Sequence, residues 1–97
     1  MAKKLDPIHP GEILKAEFME PLDLSANAMS RAIGVPANRI TAIINGTRGI
    51  TGDTALRLSR FFGNTARFWM NLQTHYELQV AEDAAGAAIN KIEKHAA

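Results

Sequence analysis

The sequence predicts an all-α fold, a bundle of five helices, with the C-terminal tail as a candidate sixth helix. Apolar residues recur at the three- and four-residue spacing of amphipathic helices. Residues that cap helix N-termini stand before these stripes, and glycines stand after them. No segment shows the pattern of a β-strand. Because 97 residues suffice for one small domain, we expect residues 1–80 to form it and residues 81–97 to be a tail.

The composition is that of a small globular protein. Apolar residues make up 46% of the chain, which argues against disorder of the whole chain. There is no cysteine, which excludes disulfides and thiolate metal sites and fits a reducing cytoplasm. No apolar run has the length of a membrane span, and the basic N-terminus lacks the apolar core of a signal peptide. We therefore expect a soluble, cytoplasmic protein with no membrane partner.

The first predicted helix opens at Pro10, because proline suits the first helical position and Glu12 suits the positive end of the helix dipole. Glu20 and Pro21 are expected to end it. Its buried stripe consists of three apolar residues, Ile13, Leu14 and Phe18. The remaining positions are polar and form a solvated or partner-facing side.

A second helix and a tight turn follow. Ser25 is placed to cap this helix, and Met29 and Ile33 form its apolar stripe. The turn is the glycine-valine-proline sequence at residues 34–36. Glycine permits a positive φ there, and Pro36 suits the first position of the third helix.

The third helix is expected to end near Asn45, before Gly46, and its two faces differ in character. One side carries three isoleucines, Ile40, Ile43 and Ile44. The opposite face is short, rich in amides and nearly uncharged. It consists of Asn38, Thr41, Ala42 and Asn45, with Arg39 at its edge. Such a face suits close approach to base edges, where asparagine offers both a donor and an acceptor. The alternative is a polar surface helix on an ordinary bundle.

Two further helices complete the bundle. Thr51 is placed to cap the fourth, Gly52 to Phe62, and Gly63 to end it. Its core face is Ala55, Leu58 and Phe62. Thr65 is placed to cap the fifth helix, which carries an aromatic-rich stripe. The members of the stripe are Phe68, Trp69, Leu72 and Tyr76. Two interpretations of this stripe remain, the core of one chain and the contact between two chains.

The net charge of +1 hides a segregation of charge along the chain. Residues 24–72 carry six arginines and one acid, Asp53, which gives +5. Residues 1–23 carry three lysines and five acids, and residues 73–97 carry two lysines and four acids, so each end has a charge of −2. A basic centre favours DNA binding, because phosphate needs a local basic surface. Dispersal of the arginines around a bundle is the alternative.

A helix, a glycine turn and a second helix with such a face form the DNA-binding helix-turn-helix arrangement. Base reading is assigned to the outer face of the third helix, at Asn38, Arg39, Thr41 and Ala42. Phosphate contacts are assigned to the end of this helix, the loop after it and the second helix, at Asn45, Thr47, Arg48 and Arg31. A loop after a docked recognition helix lies along a phosphate strand, where it fixes register without reading sequence.

Catalytic and metal-binding patterns are absent from the sequence. His9, His75 and His95 lie far apart, and none has the spacing of a metal ligand. There is no glycine-rich phosphate loop, and no serine has the surroundings of a nucleophile elbow. We therefore expect no enzymatic activity, no metal and no cofactor.

Several short motifs occur together in residues 8–80. They are LS at the start of the second helix, G-V at the turn, I-x-x-I in the third helix and N-G-x-R after it. HPGEIL precedes them, and RGITGDTALRLSRFFG and FWMNLQTHYEL follow. In this combination the chain resembles the Xre/Cro family of helix-turn-helix repressors, and its flanks are similar to the HigA/VapI antitoxin branch. It departs from the family at Ala26, where glutamine is frequent, and at Pro36, where serine or threonine is common.

The resemblance implies a lambda repressor-like fold and a homodimer that binds double-stranded operator DNA and represses its own operon. The dimer contact is expected on the fifth helix and the tail, at Phe68, Trp69, Leu72 and Tyr76. The resemblance also implies an RNA-cleaving HigB-type toxin as a partner. The alternative is a solitary Xre-type repressor without a toxin.

Acidic surface is the expected place for such a toxin, because a ribosome-directed RNase is expected to be basic. Two surfaces qualify, one on the first helix and one in the tail. Their residues are Lys15, Glu17 and Glu20, and Glu82 and Asp83. The alternative is that these acids only keep the protein in solution.

Overall fold

Five helical segments and no strand make up residues 6–95, the part of the chain that this computed structural model describes. The first segment begins as α1, Pro10–Ile13, continues as a π-helical stretch, Leu14–Met19, and ends in a 3₁₀ turn, Glu20–Leu22. The others are α2, Ala26–Ile33, α3, Ala37–Ile44, α4, Gly52–Phe62, and α5, Ala66–Asn90. None of these helices has the length and apolar character that crossing a membrane requires. The predicted all-α fold of five helices is confirmed.

α1 begins at the predicted residue, and its N-cap is His9. The His9 imidazole accepts a hydrogen bond from the Gly11 backbone N–H at 2.9 Å. The Glu12 carboxylate accepts one from the His9 backbone N–H at 3.2 Å. This reciprocal capping box satisfies backbone donors that the start of a helix leaves free.

The rest of the first segment departs from a regular α-helix. Within the π-helical stretch Leu14 and Met19 are both buried, because this winding brings residues five apart to the same side. The segment ends at Leu22, slightly beyond the predicted end at Glu20 and Pro21. The fixed φ of proline fits the tight final turn, and Asp23 then ends it with a left-handed φ of 54°.

The core is centred on Trp69, whose side chain is completely buried. The rings of Phe18, Phe62 and Phe68 surround it, with centroids 4.8, 6.1 and 5.1 Å from the Trp69 ring. The indole N–H donates to the Asn64 side chain at 3.0 Å, so the polar atom of the ring is paired. The other buried apolar residues are Leu14, Met19, Met29, Ile33, Val35, Ile40, Ile43, Ile50, Ala55 and Leu58.

α5 is one helix of 25 residues that passes through the predicted boundary at residue 80 without a break. A separate sixth helix is therefore absent from the described residues, and the tail up to Asn90 extends α5. The tail contains no proline, and its alanines favour a continuous helix. Beyond Tyr76 most side chains are exposed, among them Leu78 and Val80. Residues 1–5 of the predicted domain and 96–97 of the predicted tail lie outside the described residues.

Candidate nucleic-acid interface

Local hydrogen bonds fix α2 and the turn after it. The Ser25 hydroxyl accepts from the Ala28 backbone N–H at 3.0 Å, so Ser25 is the N-cap that the sequence predicts. Gly34 ends the helix with a φ of 73°, at which a Cβ would be strained. Arg31 is exposed in the last turn. The predicted apolar stripe is buried, at Met29 and Ile33.

Pro36 is the N-cap of α3 and not its first residue, so the predicted start of this helix was wrong by one position. Its ψ of 145° is extended, and its carbonyl accepts from the Arg39 backbone N–H at 3.0 Å. Proline has no side-chain acceptor, and α3 therefore has no side-chain cap.

α3 turns its polar face to solvent. Its isoleucines are buried or half-buried, while Asn38 and Thr41 are exposed and Ala42 is half-buried. The Thr41 hydroxyl donates to the Ala37 carbonyl at 3.2 Å and can still accept a hydrogen bond from a ligand. This face can therefore offer amide and hydroxyl groups to an approaching surface.

The inner side of α3 rests directly on the start of α1. Gly11 lies so close to the Ile43 carbonyl that a Cβ at this position would collide with it. Glycine is needed here because two backbones meet without a side chain between them. The sequence places the start of the first helix at Pro10 and gives no signal for this role of Gly11.

The loop after α3 carries the predicted phosphate contacts. Asn45 is the C-cap and Gly46 follows with a φ of 79°, so the helix ends one residue before the predicted position. The backbone N–H and the hydroxyl of Thr47 both donate to the Ala42 carbonyl, at 3.0 and 3.2 Å. Asn45, Thr47 and Arg48 are exposed, and they adjoin the outer face of α3.

Gln73 anchors this loop from α5. Its side-chain oxygen accepts from the Ile50 backbone N–H at 2.7 Å, and the residue is only 7% exposed. A Cβ built at Gly49 would lie 2.8 Å from the Gln73 amide nitrogen, so loop and side chain are tightly packed. Sequence reasoning missed Gln73. The signal that could have found it is a polar residue four positions after Trp69, on the buried side of α5.

His9 is a second polar support that the sequence reasoning did not assign. Its ring packs edge-on against Tyr76, with centroids 4.8 Å apart. Burial lowers the pKa of His9, while the Glu12 carboxylate and hydrogen bonding to the Arg48 backbone favour the charged form. His9 thus joins the start of α1 to the loop and to α5. Within residues 6–95 no group of three or more histidines and acids could hold a metal ion.

Three charged residues join α3, α4 and the turn. One carboxylate oxygen of Asp53 accepts from Nη1 of Arg39 at 3.3 Å and from Nε of Arg57 at 3.0 Å. Nη1 of Arg57 donates in turn to the carbonyls of Ile33 and Gly34, at 2.9 and 3.3 Å. Arg39, one of the predicted base-reading residues, is therefore tied to α4.

The four residues predicted for the dimer contact differ in exposure. Phe68 is 37% exposed, and Leu72 and Tyr76 are half-buried. Trp69 is 0% exposed, so its own chain already buries all of it and leaves no surface for a partner. The sequence pattern could not separate these roles, because four-residue spacing places core and surface aromatics on adjoining sides of one helix.

Known proteins resemble this chain in sequence. A family model described as helix-turn-helix matches residues 15–69. Virulence-associated protein I of Dichelobacter nodosus is 51% identical over 79 residues, which cover 81% of this chain and 73% of that protein. Antitoxin HigA-1 of Vibrio cholerae is 39% identical over 75 residues, which cover 77% of this chain and 70% of that protein.

A solved structure resembles the fold as a whole. The structure of Pseudomonas aeruginosa antitoxin HigA with the higBA promoter has a TM-score of 0.88 to this chain at 46% sequence identity. The likeness covers 93% of this chain and 99% of that one, and it therefore includes α1 and most of α5.

Proposed function

The chain belongs to the helix-turn-helix family, and from this membership we propose that it is a DNA-binding transcriptional regulator of the HigA antitoxin type, which represses its own operon. The resemblance to the Xre/Cro family and its HigA/VapI branch is thus confirmed. Members of this family are regulators and antitoxins, so the chain is not an enzyme. We place it in the cytoplasm, because a chain without cysteine fits a reducing compartment.

The observation that carries this proposal is the exposed polar face of α3 on a rigid support. Asn38 and Thr41 stand on that face, while Gly11 and Gln73 hold the helix and its loop from behind. A helix held at fixed depth can enter the major groove with its short side chains close to base edges. The related antitoxin HigA was solved with its promoter, and this supports a DNA ligand for the present chain.

Base reading is the proposed role of Asn38, Thr41 and Ala42, with Arg39 held at the edge of their face. Asparagine can pair with adenine through a donor and an acceptor, and the Ala42 methyl group can contact a thymine methyl. Phosphate contact is the proposed role of Asn45, Thr47, Arg48 and Arg31. These contacts set the position of the protein on the duplex, and they contribute equally to the affinity for every DNA sequence.

A homodimer is the proposed binding unit, since one recognition helix reads too few base pairs to select an operator. In dimers of this motif the half-sites lie about one helical turn, roughly 34 Å, apart. We propose that the contact lies on α5, at Phe68, Leu72 and Tyr76 and at the exposed apolar residues further along. Trp69, which the sequence pattern included, belongs to the core of its own chain.

The proposed second partner is a HigB-type RNase toxin. Lys15, Glu17 and Glu20 lie exposed on the first helical segment, and α1 contacts α3 through its inner side. A toxin on the exposed side of the first helical segment would therefore leave the polar face of α3 open to DNA. Glu82 and Asp83 are exposed on α5 and form the second acidic candidate surface. Their negative charge would steer a basic toxin.

Binding to the chain's own upstream DNA tests the regulator. The duplex that precedes its reading frame is compared with a shuffled duplex of equal length and composition, by fluorescence anisotropy at several salt concentrations. We expect the upstream duplex to bind at least about a thousandfold more tightly, and both affinities to fall steeply with salt. Equal affinity for the two duplexes would contradict sequence-specific regulation.

Co-expression with the neighbouring reading frame tests the antitoxin. If that frame encodes a small basic RNase that stops growth, this chain should restore growth and co-purify with it. The charge-reversing double variant Glu17→Lys/Glu20→Lys should weaken rescue while DNA binding persists. A toxic neighbour that this chain neither neutralises nor binds would leave the solitary repressor as the function.

A further inference from the structure

The only acid in the basic centre of the chain lies between two of its arginines. Asp53 is the single acid among residues 24–72, and it contacts Arg39 and Arg57. We propose that Asp53 is a positioning residue that sets the base preference of the interface by fixing the direction of the Arg39 side chain. This inference rests on the proposed DNA-binding function and names a determinant of its specificity.

Arg39 is constrained at two points along its side chain. Its guanidinium tip donates from Nη1 to the Asp53 carboxylate at 3.3 Å. Its Nε is enclosed and has no hydrogen-bond partner in the described residues, and the side chain is only 25% exposed. A solvated arginine would expose its tip and move among many rotamers. The enclosed stem and the paired tip together leave Arg39 a narrow range of directions.

The Asp53 carboxylate is itself held in place. Nε of Arg57 donates to the same carboxylate oxygen at 3.0 Å. Nη1 of Arg57 donates to the carbonyls of Ile33 and Gly34 at the end of α2. The chain of hydrogen bonds therefore starts at the turn, passes through α4 and ends on α3. It is anchored at one end by two backbone carbonyls, and its links are the side chains of Arg57 and Asp53, which are 43% and 58% exposed.

This arrangement leaves Arg39 with donors for DNA. A guanidinium has five N–H donors, of which the ion pair uses one and burial encloses another. The remaining donors lie at the edge of the polar face of α3 and can meet a base that stands at that edge. An arginine released from Asp53 could instead swing to any nearby phosphate. Loss of the carboxylate should thus increase general attraction to DNA and lower base discrimination.

A double-mutant cycle tests this assignment. The full-length protein selects a preferred duplex from a randomised pool, and every base pair of that duplex is then substituted. Affinities are compared for the wild type, Asp53→Asn, Arg39→Ala and the double variant. Asp23→Asn is the matched control, because it removes the same charge at an exposed residue whose left-handed backbone suits asparagine. Thermal unfolding checks that each variant folds.

We expect Asp53→Asn to lower discrimination at one base pair per half-site by at least about fivefold, the lower end of what a base contact contributes. Arg39→Ala should lose preference at the same base pair. In a protein that already carries Arg39→Ala, Asp53→Asn should cause no further loss of base discrimination. Asp23→Asn should change the affinity for all duplexes by the same factor.

Three outcomes would overturn the assignment. One is full discrimination by Asp53→Asn. Another is an equal effect of Asp53→Asn without Arg39, which would indicate a structural role. The third, which holds even if Asp53→Asn fails to fold, is an Arg39→Ala variant with unchanged base preference. A wild type that selects no sequence would instead refute the proposed function itself.

Discussion

At the scale of single residues, His9 connects the start of the chain to the candidate interface. Its imidazole caps α1 through Gly11, and its ring packs on Tyr76. Its Nδ1 must be unprotonated to accept the Gly11 N–H, and burial favours the same neutral form. Protonation of this one ring therefore opposes both the cap of α1 and the packing beneath the loop that follows α3.

This arrangement makes stability depend on pH. The folded-state pKa of His9 lies below its ordinary value of 6.5, mainly because of burial. As pH falls below that value the unfolded chain binds a proton before the folded chain does, so the free energy of unfolding decreases. His9→Asn, which keeps a capping side chain, should show a flatter pH dependence between about pH 7 and pH 5. Urea unfolding at each pH measures the difference.

His75→Asn serves as the control for this experiment, because His75 is exposed in the interior of α5, whose N-cap is Thr65. It should keep the wild-type pH dependence. If His9→Asn and the wild type lost stability in parallel, the assigned role of His9 would be incorrect.

Residues that act on their near neighbours could be predicted from the sequence. Ser25, Thr51 and Thr65 each accept a backbone N–H three residues along, so the capping signal is local. Gln73 meets the backbone 23 residues away, and Asp53 meets Arg39 14 residues away. No local sequence pattern encodes partners so far apart in the chain. These contacts could therefore be identified only from the folded structure.

At the scale of elements, the position of α3 depends on how closely α1 approaches it. The contact is between backbone atoms at Gly11 and the Ile43 carbonyl. Any side chain larger than hydrogen would push the two helices apart and change the depth at which α3 meets a ligand.

Two glycines should therefore respond in opposite ways to alanine. Gly11→Ala should destabilise the protein by about 1–3 kcal/mol, as overpacking of a filled site does. Gly52→Ala is the matched control, because nothing lies within 4 Å of its added Cβ and α4 begins there. It should be neutral or stabilising by up to about 1 kcal/mol. Urea unfolding of both variants measures the difference, and equal values would contradict the close approach.

The observed helix ends agree with the predicted ones where the sequence offers a good capping residue at each end. α4 has the predicted bounds, because Thr51 caps one end and the left-handed Gly63 closes the other. The first segment was harder, since nothing in its sequence distinguishes π-helical from α-helical winding before the core is formed. The length of α5 was also missed, because alanine-rich sequence carries no stop signal and the predicted boundary had no capping residue behind it.

At the scale of the whole molecule, the proposed dimer divides the surface into two parts. The polar face of α3 is available to DNA, while α5 extends beyond the body with exposed apolar side chains, among them Leu78. Leu56 on α4 is exposed to almost the same extent, 64% against 66% for Leu78. The two residues allow one surface to be tested against the other.

Leu78→Glu should convert the dimer to a monomer, since it places a charge in an apolar contact. Leu56→Glu should leave the dimer intact, and circular dichroism should show that both variants stay folded as helical proteins. Sedimentation equilibrium over a series of micromolar concentrations measures the association. A dimer that survives Leu78→Glu and dissociates with Leu56→Glu would move the contact from α5 to α4.

The most direct test of the central claim, that the face of α3 reads bases while its loop holds phosphates, compares Asn38→Ala with Arg48→Ala on the selected duplex and its single-base variants. Asn38→Ala should weaken the binding free energy for the preferred duplex by about 1–3 kcal/mol and should lose the base preference at one base pair per half-site. Its affinity should keep the wild-type dependence on salt concentration. Arg48→Ala should weaken all sequences alike and reduce the salt slope by about one for each arginine removed from the bound protein. An Arg48→Ala variant with altered base preference and an unchanged salt slope would contradict the claim, as would an Asn38→Ala variant that discriminates like the wild type.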